Sequence, residues 1–363
     1  MRRRHAYLPL FALIFAPFSP LSAFATPSPP AQPPTGPGGS NYSHTAIAIN
    51  GPYWAEGHNR DNDYRYYIYE PAQPAPAAAP VVLFLHGWLA YTPITYMEWT
   101  NHIVRKGYIV VWVRYDAGLR PPWTFLDHAM VTWKDALQRL ITWQGHVQPA
   151  RDSQGNIQTA IVGHSAGGYL ATLLAARAAL PSNGLPQPHA VVPIEPGGFS
   201  AIPPENLAAI DPATKMVVVV GEEDTVVCTR TAVAIWNATP QLLDRDFLLV
   251  QSDTRGSPAQ IANHFFPTTT GKRDTAAVDA RDFYVTFKLS VGALNCVFLG
   301  TDCQYAFGKG APEQIDMGTW SDGIPVKPMI WVTDPHSLPT RCRQGASTWG
   351  QRTSPDEVHP PGR

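Results

Sequence analysis

Six short, β-branched apolar runs recur along the chain, at Val81 to Leu85, Tyr108 to Val113, Ile157 to Val162, Ala190 to Ile194, Met216 to Val220 and Phe247 to Val250. Each is apolar at nearly every position rather than at every second one, so a strand built from it buries both faces. The segments between several of these runs have a different period. Trp133, Leu137, Leu140 and Ile141 fall on one face of a helix, as do Leu170, Leu173 and Leu174. Strands buried on both faces and separated by helices pack as a parallel sheet, because parallel neighbours need a crossover and the crossover helix must bury its own apolar stripe. The expected fold class is α/β, with a mostly parallel central sheet and helices on both faces.

The flanks differ from this core. Arg2, Arg3 and Arg4, an apolar stretch from Tyr7 to Phe18 and the small-x-small triplet Ala23-Phe24-Ala25 make residues 1–25 a signal peptide, so the mature chain is expected to start at Thr26 and to be periplasmic or extracellular. The apolar stretch is shorter than the roughly 20 residues that span a bilayer, and no stable membrane anchor is expected. Residues 26–40 are rich in Pro and Gly, which support neither a helix nor a strand ladder, and are expected to form a disordered leader. Residues 41–290 hold the α/β domain. Residues 291–363 read as a loop-rich extension packed on that domain, since their apolar content is thin for a core of their own.

Cysteines Cys228, Cys296, Cys303 and Cys342 all follow the export signal, and an even count in an exported chain reads as two disulfides. Four cysteines allow three pairings. Cys296 and Cys303 are close enough for a local loop, which leaves Cys228 for Cys342. The 27 basic side chains nearly balance the 28 acidic ones, so no basic surface is expected to hold a nucleic-acid backbone. Oligomeric state has no signature in the sequence.

The run Ile157 to Val162 leads directly into Gly163-His164-Ser165-Ala166-Gly167-Gly168 and then into a helical pattern. A serine nucleophile must be lifted clear of a sheet on a tight strand-to-helix turn, which requires small neighbours; Gly163 and Gly167 lie two residues to either side of Ser165. The N–H of Ala166, at the start of the following helix, is placed to stabilise a developing oxyanion. A second donor is expected from the loop after the first run, Leu85-His86-Gly87-Trp88, with the N–H of Trp88 as the candidate and with His86 and Gly87 supporting the loop. An acid is expected after Met216 to Val220. Asp224 in Gly221-Glu222-Glu223-Asp224 is the candidate, and Glu195 in Ile194-Glu195-Pro196 is its rival. A base is expected after the last run, where His264 is the candidate and His336 the fallback.

These residues in this order resemble the α/β-hydrolase superfamily, particularly its exported dienelactone-hydrolase-like, chlorophyllase-like and cutinase-like serine esterases, over about residues 60 to 290. The resemblance implies hydrolysis of a carboxylic ester through an acyl-enzyme on Ser165, with no metal and no cofactor. The expected partner is a small-molecule ester. Trp88, Tyr91, Trp99 and Trp123 fall in or near the loops where the site would open, and an apolar or aromatic acyl group would suit them. The same triad would serve an acyltransferase or a peptidase. A noncatalytic binding protein on this scaffold would be expected to lack a triad member.

Overall fold

The structure is a computed structural model that describes residues 26–339, apart from 117, 119, 199–200 and 272–275. The export segment and Cys342 lie outside the described residues. Among the described residues eleven strands occur: β1 (Ala46–Trp54), β2 (Arg65–Ala72), β3 (Ala78–Ala79), β4 (Val81–Leu85), β5 (Ile109–Val113), β6 (Gln148–Pro149), β7 (Thr159–His164), β8 (Pro188–Ile194), β9 (Lys215–Gly221), β10 (Arg245–Val250) and β11 (Ile330–Trp331). Nine of them form one sheet in the order β1-β2-β5-β4-β7-β8-β9-β10-β11, while β3 and β6 make a separate two-residue pair. The six apolar runs supply β5-β4-β7-β8-β9-β10, and every neighbouring pair among them is parallel. The sheet as a whole is mixed, because β1, β2 and β11 join it antiparallel.

Side-chain alternation along the central strands feeds two cores. Val81, Leu83 and Leu85 of β4 join helices α2 (Phe125–Thr142), α3 (Ala166–Ala178) and α4 (Arg230–Ala238) on one face. Val82 and Phe84 join α1 (Met97–Arg105) and α5 (Lys288–Leu299) on the other. The crossover from β4 to β5 therefore passes over one face through α1, and that from β5 to β7 returns over the opposite face through α2. A reversal of this kind at β4 and β7 splays the loops beyond their carboxyl ends and opens a crevice there.

Two expectations about the flanks are corrected. Residues 26–40 have no regular secondary structure, but they are not a free leader. The Pro37 carbonyl accepts from His102 Nε2 at 2.7 Å, the Gly36 carbonyl from Lys106 Nζ at 2.9 Å and the Pro27 carbonyl from the Ser257 N–H at 2.9 Å. Within the segment the Gly39 and Ser40 N–H groups donate to the Gly36 and Pro33 carbonyls at 3.0 and 2.9 Å, and other carbonyls are satisfied by distant polar groups. The boundary drawn at residue 290 falls inside a continuous helical stretch, a π-helical segment over Asp282–Phe287 followed by α5, whose Leu289, Val291, Ala293 and Leu294 are buried against the sheet. By length and composition this stretch would suit a membrane span, but it is a core helix. The extension beyond it contributes β11 and buries Met317, Trp320, Val326 and Met329 in the same core. Cys296 and Cys303 are disulfide-bonded across the end of α5.

Candidate active site

Ser165 separates β7 from α3 with φ 56° and ψ −124°, a region that a residue with a Cβ enters only under strain. The neighbouring glycines make the turn possible. A Cβ on Gly163 would lie 2.3 Å from the Gly167 carbonyl oxygen, and one on Gly167 would lie 2.2 Å from that of Leu85 and 2.4 Å from that of His86. The turn is thus folded on itself and pressed against the end of β4. The Ser165 N–H donates to the Ile194 carbonyl at 3.0 Å, which ties the turn to β8 as well.

The structure brings Ser165, His264 and Asp224 into one line. The Ser165 hydroxyl lies 2.9 Å from His264 Nε2, and His264 Nδ1 lies 2.8 Å from Asp224 Oδ2. The carboxylate accepts a hydrogen only at Nδ1, so Nε2 is the atom left to receive the serine proton. Asp224 is held from behind by the N–H groups of Val226 and Val227, which donate to Oδ1 at 2.8 and 3.0 Å. His264 and Asp224 are buried, and Ser165 retains 9% exposure, which makes it the most reachable of the three.

The segment that carries His264 is fastened at several points. The Ala262 carbonyl accepts from the Glu223 N–H at 2.9 Å, and Asp253 pairs with Gln260 across a short bridge. Asp253 Oδ2 accepts from the indole of Trp320 at 3.1 Å and from the Lys327 N–H at 3.0 Å. A Cβ on Gly256 would lie 2.3 Å from the Trp320 ring and 2.3 Å from the Pro27 carbonyl oxygen. The extension and the leader therefore clamp the loop that presents His264.

On the opposite side, the loop after β4 is braced by His86. Its Nδ1–H donates to the Gly87 carbonyl at 2.7 Å, and its ring stacks on Tyr115 with centroids 4.2 Å apart. The Tyr115 hydroxyl donates to the His86 carbonyl. Full burial pushes the His86 imidazole down to about 3, so it is neutral at physiological pH. A Cβ on Gly87 would lie 3.3 Å from Ser165 Cβ and 2.9 Å from the Tyr96 hydroxyl, so the loop backbone runs beside Ser165. Among the described residues, neither the Trp88 N–H nor the Ala166 N–H donates to a protein acceptor.

Two residues that join these parts were not singled out by the sequence reasoning. The Gly87 N–H donates to the Tyr96 hydroxyl at 2.9 Å, which in turn lies 2.9 Å from His164 Nδ1; His164 Nε2 lies 3.0 Å from the His264 carbonyl. The chain of donors runs Gly87 N–H to Tyr96 oxygen, Tyr96 O–H to His164 Nδ1, and His164 Nε2–H to the His264 carbonyl. Burial, reinforced by the nearby His264, holds the His164 imidazole well below its usual range, which keeps it in the neutral form that this relay requires. The position of His164 in the turn carries no signal of a bond to Tyr96, 68 residues away in sequence.

Glu195 is also present, with Oε2 3.8 Å from His264 Nδ1 and 3.4 Å from His164 Nε2. His336 lies elsewhere, exposed and bonded to Asn237 at 3.0 Å. Glu222 is half-buried and accepts from the Ser252 N–H, and Glu223 is exposed. Of the four aromatics, Trp88 and Trp123 are exposed, whereas Tyr91 lies under the Arg114 guanidinium. Trp99 is not at the mouth. It is fully buried, edge-on to Phe84 at 5.0 Å, with its indole donating to Ser290.

His164, Glu195 and His264 each offer a ligand atom, all within 4.8 Å, a spacing that a metal ion could use. Both nitrogens of His264 are engaged with Ser165 and Asp224, and both of His164 with Tyr96 and the His264 carbonyl, so a metal there would dismantle the hydrogen-bonded line. No family profile matches the chain, and no curated protein matches it.

Proposed function

We propose that the chain is a serine esterase of the α/β-hydrolase fold, acting on carboxylic esters through an acyl-enzyme on Ser165. The observation that carries the reading is the line Ser165 Oγ, His264 Nε2, His264 Nδ1, Asp224 Oδ2, with steps of 2.9 and 2.8 Å around one imidazole. Support comes from its setting: a strained serine on a strand-to-helix turn, at the carboxyl ends of parallel strands and beside a reversal of strand order.

In this reading His264 takes the Ser165 proton at Nε2 as the oxygen adds to the ester carbonyl, and Asp224 balances the imidazolium that forms. The Trp88 and Ala166 N–H groups receive the oxyanion. The imidazolium then protonates the leaving alcohol. Water, deprotonated by the same nitrogen, releases the acid and restores Ser165.

The exposed Trp88, Leu89, Trp123 and Val226 sit on the loops after β4, β5 and β9, and they favour an apolar acyl or alcohol group. A panel of p-nitrophenyl esters of increasing chain length, run beside peptide anilides, tests the reading. Ester turnover that disappears in Ser165→Ala is expected. Equal turnover in that variant, or cleavage of the anilides alone, would remove the esterase assignment.

A further inference from the structure

The carboxyl group of Glu195 sits in a place that the mechanism above does not use. It is fully buried at the end of β8, and among the described residues neither carboxyl oxygen makes a hydrogen bond of good geometry, the Gly221 N–H being the backbone donor that lies against it. The backbone is also strained there, since Glu195 has φ 43°. Room has been left for it. A Cβ on Gly221 would lie 2.5 Å from Glu195 Oε1, so only glycine at 221 lets this carboxyl reach its position. A strained, poorly satisfied, accommodated acid beside a catalytic imidazole calls for an explanation other than packing.

We propose that Glu195 is a second acid for His264, a positioning residue held in reserve behind Asp224. This rests on the serine-hydrolase reading. Both carboxyl groups face the same ring nitrogen, Asp224 at 2.8 Å and Glu195 at 3.8 Å, so a shift of about 1 Å brings Glu195 Oε2 into bonding distance of His264 Nδ1.

Their surroundings set them apart. Asp224 accepts from two backbone N–H groups as well as from His264, whereas Glu195 has only the Gly221 N–H against it, outside good hydrogen-bonding geometry. The groups around Glu195 are Asp224, His264, His164, Tyr96 and Arg281, the last already bonded to Asp279. Burial first, and then the Asp224 charge, raise the Glu195 carboxyl well above the usual carboxylate range, with Arg281 and the Gly221 N–H opposing. Glu195 is therefore a neutral acid at rest and does not compete with Asp224. When the charge at 224 is removed, the Glu195 proton is released to solvent as the pH rises, and its carboxylate accepts from His264 Nδ1 and balances the imidazolium.

The test is a double-mutant cycle on the full mature chain, with p-nitrophenyl acetate turnover and the rate of Ser165 labelling by a fluorophosphonate as readouts. Where a triad has no second acid, replacing Asp by Asn reduces turnover by about 10⁴-fold. Here Asp224→Asn is expected to lose only about 10²-fold, and its residual activity is expected to rise with pH above neutrality. Adding Glu195→Gln to Asp224→Asn should remove about another 10- to 100-fold together with that pH-dependent rise. In the otherwise unchanged chain, Glu195→Gln should lower turnover only a few-fold.

Equal losses from Glu195→Gln in both backgrounds, or an Asp224→Asn variant as inactive as the double variant, would overturn the proposal. Thermal unfolding of each variant checks its fold, and Glu195→Ala takes the place of Glu195→Gln if the latter does not fold. The two readings fail differently. An unlabelled Ser165 in the unaltered chain removes the hydrolase assignment and the reserve acid with it, whereas normal labelling with an additive cycle removes the reserve acid alone.

Discussion

Tyr96→Phe removes one oxygen and leaves the ring contacts with Phe84 and Trp99 in place. That oxygen accepts from the Gly87 N–H and donates to His164 Nδ1, each at 2.9 Å, and both partners are buried. The variant therefore leaves one donor and one acceptor without a partner. At about 1–3 kcal/mol for each, with some relaxation, the expected loss of stability is about 2–4 kcal/mol. For a chain of this size, with an unfolding entropy of about 0.7 kcal/mol/K, that lowers the unfolding midpoint by about 3–6 °C. Activity should fall as well. Gly87 abuts Ser165 and precedes the proposed oxyanion donor Trp88, and loss of its tether lets the loop drift; misplacement of a reacting group by about 1 Å reduces rate by about 10²-fold. The assay is a thermal melt paired with ester turnover, with Tyr108→Phe as the control. Tyr108 is also buried and loses a hydroxyl bond, to Asn295 of α5, but it precedes β5 at the strand's amino end, away from the carboxyl ends where Ser165 lies. The control should melt lower with unaltered turnover. A Tyr96→Phe chain that melts within about 2 °C of the parent and turns over at the same rate would refute the relay as a support of the site.

Other expectations follow from the same contacts. Trp320→Ala empties a fully buried site and removes the indole bond to Asp253, so it should destabilise by about 3–5 kcal/mol and lower turnover through the His264 loop; a folded variant with full turnover would show that the extension does not hold that loop. His102 is pushed down to about 3 by burial, against about 6.5 in an unfolded chain. Protons then bind the unfolded chain first, so the stability associated with neutral His102 is complete above about pH 6.5 and is lost as pH falls, at about 1.4 kcal/mol per unit. His102→Gln should flatten the acid limb of denaturant-measured stability by that slope between about pH 6 and 3, and an unchanged slope would count against a neutral buried imidazole. Removal of the Cys296–Cys303 bridge, with a sequence separation of 7, should reduce stability by about 2 kcal/mol, measured under non-reducing conditions as a shift in urea midpoint between the parent and a Cys296→Ser/Cys303→Ser chain; an unchanged midpoint would show that the bridge contributes nothing.

The central strands were legible because a strand buried on both faces needs apolar side chains at almost every position, and β4, β5, β7, β8, β9 and β10 have them. The edge strands lack that pressure. β1 is largely half-buried or exposed and is broken by a register shift between Asn50 and Tyr53, where Gly51-Pro52 intervenes; β11 has two residues. The leader shows a limit of composition. Pro and Gly correctly exclude helix and strand for residues 26–40, but carbonyls such as Pro37 are satisfied by His102 and Lys106, whose proximity depends on the tertiary fold.

The site divides in the same way. Ser165, Asp224 and His264 each follow a strand at the same edge of the sheet, so their meeting could be inferred once the strands were known. The relay through Tyr96 and His164 joins residues by partners distant in sequence and leaves no local pattern. Glu195 and Asp224 looked like rivals for one role, since each follows a strand end by a few residues. The structure places both beside His264, at different distances and with different hydrogen bonding.

The most direct measurement is covalent labelling of the folded chain with a fluorophosphonate, followed by peptide mass spectrometry. The account predicts one adduct, on Ser165, formed in step with the loss of ester turnover and absent from the Ser165→Ala and heat-unfolded chains. Ester turnover that persists with Ser165 unmodified, or an adduct on another residue that accounts for the loss, would contradict it.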